Sequence, residues 1–352
     1  MRTRRLPWLP LLAALPLTIG CLDSGEMAQV SSESVELRCG STGCGVNGPD
    51  TDGHGFGELN TFGEINQYGY YIFGATHFGK KLTLNVVNNE LVGTKKSGEI
   101  LTGDELIGTS IKILHNRQPN YWTLRVMGHD DDTRYWIGDQ VETIPSYLFA
   151  VGKNGGVEDT LCNHEATEED ENVNEAFVFE GDRYDRIEKT VSDDSLTSGW
   201  FNIACTGSTA NKLLRLRHAK IAADGEIETE PGERQAVYKA IVGDFCGEGE
   251  SLTKTGVPLF TRLAVSWGWE WNFGCYVTGH EAIWDAGGAL CVETYRLADD
   301  PEMVDKLDAC GIPDCSADDH ESYSTGDYGW MRTSNPVIPP PAGGDHCEMF
   351  YH

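Results

Sequence analysis

Short segments of alternating apolar and polar positions run through residues 80–151, the pattern of strands that bury one face. Thr83–Val87 and Glu90–Gly93 flank the dipeptide Asn88-Asn89, which suits the tight turn of a β-hairpin. Further apolar segments recur at similar spacing, with turn residues between them. The pattern predicts an antiparallel β-rich region over residues 61–146.

Helical spacing characterises three segments of the second half. Thr209–His218 places leucines on one side and directs Lys212 and its basic neighbours toward water. Glu233–Val242 and Glu302–Ala309 are two more predicted helices, and Asp300 is in position to cap the last of them. Each of the three is about two or three turns long.

The predicted fold class is therefore α+β, with a β-rich N-terminal region followed by a disulfide-braced α+β domain with a few short helices. The α+β domain is expected over residues 147–315. Residues 21–60 are polar and glycine-rich, so they are expected to form a tether. Residues 316–352 lack periodicity and are expected to form a loop-like tail.

The N-terminus resembles a bacterial lipoprotein signal. A cationic segment, residues 1–5, precedes an apolar stretch, residues 6–20. The apolar stretch is too short to span a bilayer. Its last residue is Gly20, and Cys21 follows directly. A small residue before cysteine resembles the lipobox, which predicts lipidation of Cys21, although Leu17 lies one position further from the cysteine than that motif prefers. The alternative is an ordinary secretory signal with Cys21 near the cut by chance.

The charge balance is strongly acidic. The chain has 27 basic and 55 acidic residues, a formal net charge of −28 at pH 7. Such a field repels nucleic acid, so no nucleic-acid partner is expected. The expected membrane contact is the N-terminal lipid alone.

Eleven cysteines are present, and ten remain when Cys21 is set aside for lipid. An even number in an exported chain predicts disulfides, and the CxxC pairs typical of structural zinc are absent from the sequence. No metal or cofactor is therefore expected. The candidates for pairing are Cys39, Cys44, Cys162, Cys205, Cys246, Cys275, Cys291, Cys310, Cys315 and Cys347.

Three segments of the second half resemble the ADYC domain, a family from myxobacteria and related bacteria. They are Trp200–Cys205, Gly243–Gly249 and Glu281–Cys291. The Ala-Asp-Tyr-Cys signature of that family reads Gly243-Asp244-Phe245-Cys246 here. The resemblance covers roughly residues 147–315. It implies an exported or lipid-anchored protein of unestablished biochemical role and supplies no catalytic residue.

The signature residues themselves have the character of structural positions. Asp244 is expected to hydrogen-bond the turn that follows, Phe245 to fill the core, and Gly247 to permit a tight turn. Cys205 is expected to start one helix and Cys246 to end the next, so a disulfide between these two cysteines would clamp the helix pair.

Three tryptophans alternate along one segment, Trp267, Trp269 and Trp271, so they share one face of a strand. Such a face either packs into the core or serves as a stacking platform for sugar rings.

The sequence contains no serine-hydrolase elbow, HExxH zinc motif, phosphate-binding loop or dinucleotide fingerprint. The function expected is a lipid-anchored cell-envelope protein, at the outer membrane or cell surface, with a binding or structural role toward a glycan or protein. One alternative is a secreted hydrolase of envelope polymers that uses carboxylates. The other is a glycan-binding module built on the Trp267–Trp271 strand.

The lipoprotein signal makes a direct prediction about the mature chain. Mass spectrometry of the protein extracted from envelopes should find Cys21 as the first residue, carrying lipid, and Cys21→Ser should abolish that modification. An unacylated N-terminus at any other residue would contradict it.

Overall fold

The computed structural model describes ten stretches of the chain, which are residues 44–47, 55–131, 133, 143–156, 159–162, 174–220, 229–254, 257–263, 279–319 and 331–335. Side chains are described in most of these, but not at 44–47, 257–263, 279–280, 331–332 or 334–335. No helix within the described stretches is long and apolar enough to cross a membrane.

Strands predominate among the described elements. They are β1 (Cys44–Asn47), β2 (Glu58–Asn60), β3 (Tyr70–His77), β4 (Lys80–Val87), β5 (Glu90–Lys95), β6 (Ile100–Leu101), β7 (Thr109–His115), β8 (Gln118–Asp130), β9 (Ser146–Lys153), β10 (Asp159–Thr160), β11 (Glu175–Glu180), β12 (Asp182–Asp185), β13 (Thr190–Asp193), β14 (Trp200–Cys205), β15 (Val257–Leu263), β16 (Gly279–Asp285), β17 (Gly288–Val292) and β18 (Met331–Asn335). The helices are α1 (Thr209–Arg215), α2 (Pro231–Val242) and α3 (Pro301–Cys310).

The larger sheet is antiparallel and strongly rolled. Its strand order is β2-β14-β11-β9-β8-β7-β3-β4-β5-β6, with β10 added beside β9. The sheet curls until β4 and β5 contact β11 and β2 contacts β3. Its inner face encloses an apolar core, in which Leu59, Leu91, Ile113 and Leu124 are completely buried.

The hairpin between β4 and β5 confirms the turn that the sequence predicts. Asn88 and Asn89 have φ angles of +53° and +61°. Two successive left-handed residues make a type I′ turn, whose twist matches that of the paired strands, and asparagine tolerates this conformation better than most residues.

The boundary expected at residue 146 lies inside this sheet. β8 pairs with β9 over eight residue pairs, from Trp122–Lys153 to Asp130–Ser146. The β-rich segment 61–146 and the start of the segment 147–315 are therefore built into one sheet with one core.

A second core lies on the outer face of β11 and β14. Phe177 and Phe179 point away from the rolled core and pack with Ala236, Val237 and Ile241 of α2. Every residue of α2 from Arg234 to Val242 is buried. This helix therefore has neighbours on all sides, whereas a surface helix has a polar face toward water.

The smaller sheet, of order β1-β15-β18-β16-β17, corrects two expectations. β18 lies between β15 and β16, within the expected tail 316–352, and β1 pairs with β15 from within the expected tether 21–60. β2 also lies in that tether and pairs with β14. These strands are short, and their sequences lack the alternation that marks a half-buried strand, so the pattern could not reveal them.

The three helices occur where the sequence predicts them. The side chain of Asp300 accepts hydrogen bonds from the backbone N–H groups of Glu302 and Met303, so it caps α3 as expected. One expectation about α1 is wrong, because Lys212 is buried rather than directed to water. Helix α1 packs against α2 and β14, so its polar side is covered too.

Among the described side chains, three disulfides brace the fold, and they join Cys162 to Cys205, Cys246 to Cys310, and Cys291 to Cys315. The expected Cys205–Cys246 bridge is therefore wrong. Cys205 ends β14 beside the rolled core, whereas Cys246 follows α2 and meets the end of α3. The bridge across 43 residues stabilises the fold by about 4 kcal/mol in the chain-entropy account.

Peptide mapping without reduction provides the test of these connections. The expected products include one linked peptide pair for each of these three bridges, and each pair should separate after reduction. A peptide that links Cys205 to Cys246, or Cys310 to Cys315, would contradict the structure.

Candidate functional site

The segment Gly243–Cys246 begins where α2 ends. Gly243 has a φ angle of +71° and terminates the helix in the left-handed conformation that glycine favours. Asp244 is fully buried, and its Oδ2 accepts hydrogen bonds from Lys239 Nζ at 2.5 Å and from the Gly249 N–H at 3.1 Å. The carboxylate thus joins the helix to the turn that follows it, which confirms the bond to the turn expected from the sequence.

Phe245 and Cys246 connect the same turn to two other elements. The Phe245 ring packs 4.6 Å from the Trp284 ring, between centroids, and its carbonyl accepts a hydrogen bond from the Ala289 N–H at 2.9 Å. Cys246 bonds to Cys310 at the end of α3. The segment is therefore a junction between α2, the β16–β17 hairpin and α3.

Gly247 shows how tightly this junction is packed. Its φ angle is +73°, and a Cβ atom there would lie 1.8 Å from the Gly287 carbonyl oxygen. A side chain is excluded by both conformation and space. The junction thus depends on a glycine where the backbones of two turns meet.

A buried ion pair lies beside the junction. Arg296 donates to Glu281 through Nε at 2.7 Å and Nη2 at 2.8 Å, and both side chains are fully buried. Arg296 Nη2 also donates to the Ala240 carbonyl near the end of α2. Burial, together with the nearby positive charge of Arg296, lowers the pKa of Lys212 to about 7.

A second charged cluster lies at the start of α2. Arg234 contacts Asp182 on β12 at 3.0 Å and Asp193 on β13 at 2.7 Å, and Lys220 also contacts Asp193 at 2.7 Å. Burial raises the pKa of Asp182 to about 7, although the adjacent guanidinium of Arg234 lowers it. The cluster attaches the β12–β13 hairpin to the helix.

The same hairpin is attached to the rolled sheet on its other side. Arg183 on β12 donates to Glu58 Oε1 at 2.9 Å and lies 3.8 Å above the Trp200 ring centroid. Burial raises the pKa of Glu58, an effect that Arg183 opposes. Four buried carboxylates of the fold thus each contact a basic side chain, in the pairs Glu58–Arg183, Asp182–Arg234, Asp244–Lys239 and Glu281–Arg296. This arrangement suits structural ion pairs.

A group of outward-facing side chains, of which one is exposed and two are partly buried, lies elsewhere, on the outer face of β3, β7 and β8. The ammonium group of Lys112 lies 4.2 Å from the Tyr121 ring centroid and 5.5 Å from the Phe73 ring centroid. Phe73 is 65% exposed, although it lies within the strand β3. The three side chains come from three adjacent strands.

A β-bulge accounts for the position of Phe73. The pairing of β3 with β7 shifts register between Ile72 and Gly74, so Phe73 is an extra residue. Gly74 has ordinary backbone geometry, and a Cβ atom there would meet no other atom within 4 Å. The middle of the face is therefore open.

The charge of this region differs from that of the whole chain. The five neighbouring strands β9, β8, β7, β3 and β4 contain one carboxylate and five lysine or arginine side chains. The carboxylate is Asp130, at the end of β8. We call eleven of the outward positions of β3, β4, β7 and β8 the basic aromatic face; they are Tyr71, Phe73, Gly74, Thr76, Lys81, Ser110, Lys112, Leu114, Tyr121, Thr123 and Arg125.

Several residues expected to matter lie outside the described stretches. These are Cys21, Cys39, Cys275, Cys347, Trp267, Trp269 and Trp271. Cys44 lies in β1, where only the backbone is described. Where side chains are described, no group of three or more histidine, cysteine, aspartate or glutamate residues is arranged to hold a metal ion.

Comparison with known protein families identifies the family of this chain. The ADYC domain matches residues 103–298, which is more than half of the sequence. The chain belongs to the ADYC domain family. No curated protein and no solved structure matches it.

The ADYC domain begins earlier than the sequence resemblance indicates, at residue 103 rather than near 147, and it ends at 298 rather than near 315. It therefore includes β7, β8 and β9 of the rolled sheet. The disulfides, one of them within the domain and two reaching beyond it to α3 and the segment after α3, indicate an extracytoplasmic protein.

Sequence reasoning missed Phe73, Lys112 and Tyr121. The available signal was the run Tyr70-Tyr71-Ile72-Phe73, in which aromatic residues occupy both faces of a strand. A bulge cannot be located from that run alone, so the outward direction of Phe73 was not predictable.

The buried ion pair beside the ADYC signature makes a stability prediction. Arg296→Met should lower the free energy of unfolding by about 3–5 kcal/mol, because it leaves Glu281 buried without its partner. The double variant Glu281→Met/Arg296→Met should recover much of that loss. Urea unfolding with the disulfides intact measures both.

The matched control is Lys254→Met, which removes an exposed pair with Asp300. That change should cost less than about 1 kcal/mol. If Arg296→Met costs no more than Lys254→Met, the ion pair does not hold the junction together.

Proposed function

We propose that this ADYC-domain protein is an exported, lipid-anchored protein of the bacterial cell envelope that acts by binding. The lipid is expected on Cys21, and the location is the outer membrane or the cell surface. The ligand is a constituent of the envelope or of its surroundings, and it binds on the basic aromatic face.

Export is supported from two directions. The disulfides need an oxidising compartment to form and persist. The N-terminal sequence Met1–Cys21 has the cationic start, apolar stretch and small residue before cysteine of a lipoprotein signal. Neither observation depends on the other.

The observation that carries the binding role is the exposure of Phe73 on an open sheet face. The bulge makes Phe73 an extra residue of its strand, and its exposed ring lies next to Lys112, which also contacts Tyr121. Bulges commonly re-aim a side chain where a protein meets a ligand. The neighbouring Gly74 leaves the surface beside the ring free of side-chain atoms.

The charged groups of the interior favour binding over catalysis. Glu58, Asp182, Asp244 and Glu281 are each buried and in contact with an arginine or lysine. A general acid or nucleophile must reach its substrate, and these carboxylates are committed to packing contacts. The Trp267–Trp271 platform lies outside the described residues.

A sedimentation assay with isolated envelopes tests the binding role. The protein is prepared as the mature chain with Cys21→Ser, so that lipid does not contribute to sedimentation. It should sediment with envelopes from a Gram-negative bacterium, and Phe73→Ser should reduce the bound fraction severalfold.

The control is Phe62→Ser, because Phe62 is 71% exposed but lies outside the basic aromatic face. It should bind as the parent protein does. Equal binding by the Phe73→Ser and Phe62→Ser variants would exclude the face, and no sedimentation by any variant would overturn the binding role.

A further inference from the structure

The basic aromatic face combines three kinds of recognition group. Phe73 presents an exposed ring, Lys112 places a positive charge beside it, and hydroxyl groups surround both. The hydroxyl groups belong to Tyr71, Thr76, Ser110, Tyr121 and Thr123, all on outward positions of adjacent strands. Rings stack on the faces of sugars, and hydroxyl groups exchange hydrogen bonds with theirs.

The register of the strands places two more cations along one edge of this face. Lys81 is opposite Thr76, Thr76 is opposite Ser110, and Ser110 is opposite Arg125. This row crosses four strands, a width of about 14 Å, and lies about 13 Å along β8 from Tyr121. The face is therefore large enough for a few consecutive sugar rings.

We propose that the basic aromatic face binds an anionic polysaccharide, a polymer of sugars that carry carboxylate groups. The proposal rests on the binding function proposed above and adds the ligand class. The cationic side chains of this face are opposite in sign to the net charge of the chain. They are therefore complementary to a negatively charged ligand. The ring of Phe73 stacks on the sugar, and Lys112 pairs with a carboxylate.

Two other negative partners fit this face less well. A lipid surface is bound by several protruding apolar side chains, whereas the direct cross-strand neighbours of Lys112 are Gly74 and Thr123. An acidic polypeptide would use the charges but would not need the exposed ring of Phe73. The proposed ligand uses the charge, the ring and the hydroxyl groups together.

Binding of polygalacturonate to the mature protein with Cys21→Ser, measured by isothermal titration calorimetry, tests the proposal. The comparison probes are dextran, which is neutral, polyglutamate, which has no sugar rings, and vesicles of phosphatidylglycerol. Polygalacturonate should bind at least about tenfold more tightly than each of the other three, because only it offers both charge and rings. Its affinity should fall as salt is added.

A pair of substitutions at Gly74 tests whether the ligand binds beside this residue, and neither substitution removes a side-chain contact. A side chain at Gly74 enters open space, so Gly74→Lys and Gly74→Glu should both fold, which circular dichroism and thermal melting verify. Gly74→Glu should weaken binding by roughly threefold or more, and Gly74→Lys should preserve or strengthen it, because each adds one charge beside Lys112.

Lys112→Gln and Phe73→Ser should each weaken polygalacturonate binding by about fivefold. The matched controls are Lys306→Gln on α3 and Phe62→Ser, both outside the face, and they should leave binding unchanged. Equal binding of polyglutamate, dextran or anionic vesicles would overturn the inference, as would equal effects of Gly74→Lys and Gly74→Glu. If envelopes are bound through Phe73 but polygalacturonate is not, the ligand class is wrong and the binding function stands.

Discussion

Helix α2 is buried on every side, and the arrangement of the second half of the fold follows from that constraint. A helix without a solvent face must give each of its polar side chains a partner inside the protein. Arg234 therefore requires Asp182 and Asp193, which position the β12–β13 hairpin, and Lys239 requires Asp244, which shapes the turn after the helix. The ion pairs thus act as positional constraints: each one specifies which element lies next to α2.

This constraint explains what the family signature does here. Asp244, Phe245 and Cys246 follow the helix directly and contact in turn Lys239, Trp284 and Cys310. The three contacts reach the helix itself, the smaller sheet and α3. A signature of this kind specifies how layers are joined, so it can be shared by proteins with different ligands. The groups that would select a ligand, such as Phe73 and Lys112, belong to β3 and β7 of the rolled sheet, whereas the signature contacts α2, the smaller sheet and α3.

Structural features that depend on neighbouring residues could be predicted from the sequence, whereas features that depend on contacts between distant segments could not. The Asn88-Asn89 turn and the Asp300 cap depend on a few neighbouring residues, and both were predicted. The burial of Lys212 depends on α2 covering the polar side of α1, and the pairing of Met331–Asn335 depends on two strands distant in sequence. The partner of Cys205 likewise depends on the course of the chain. Periodicity shows how apolar and polar residues alternate along a segment. It does not show which other element packs against the polar face of that segment.

The same limit applies to the basic aromatic face, and it bears on the meaning of net charge. A value of −28 suggests a surface that repels every anion, yet the chain concentrates its carboxylates outside five adjacent strands. At physiological salt, charges act over about 8 Å, so an anion bound at this face would respond to Lys112 more strongly than to carboxylates further away. β3 and β4, which carry Phe73 and Lys81, precede the matched residues 103–298, whereas β7 and β8 lie within them. The face therefore combines two strands within the matched residues with two strands outside them, so its composition does not follow from the family match alone.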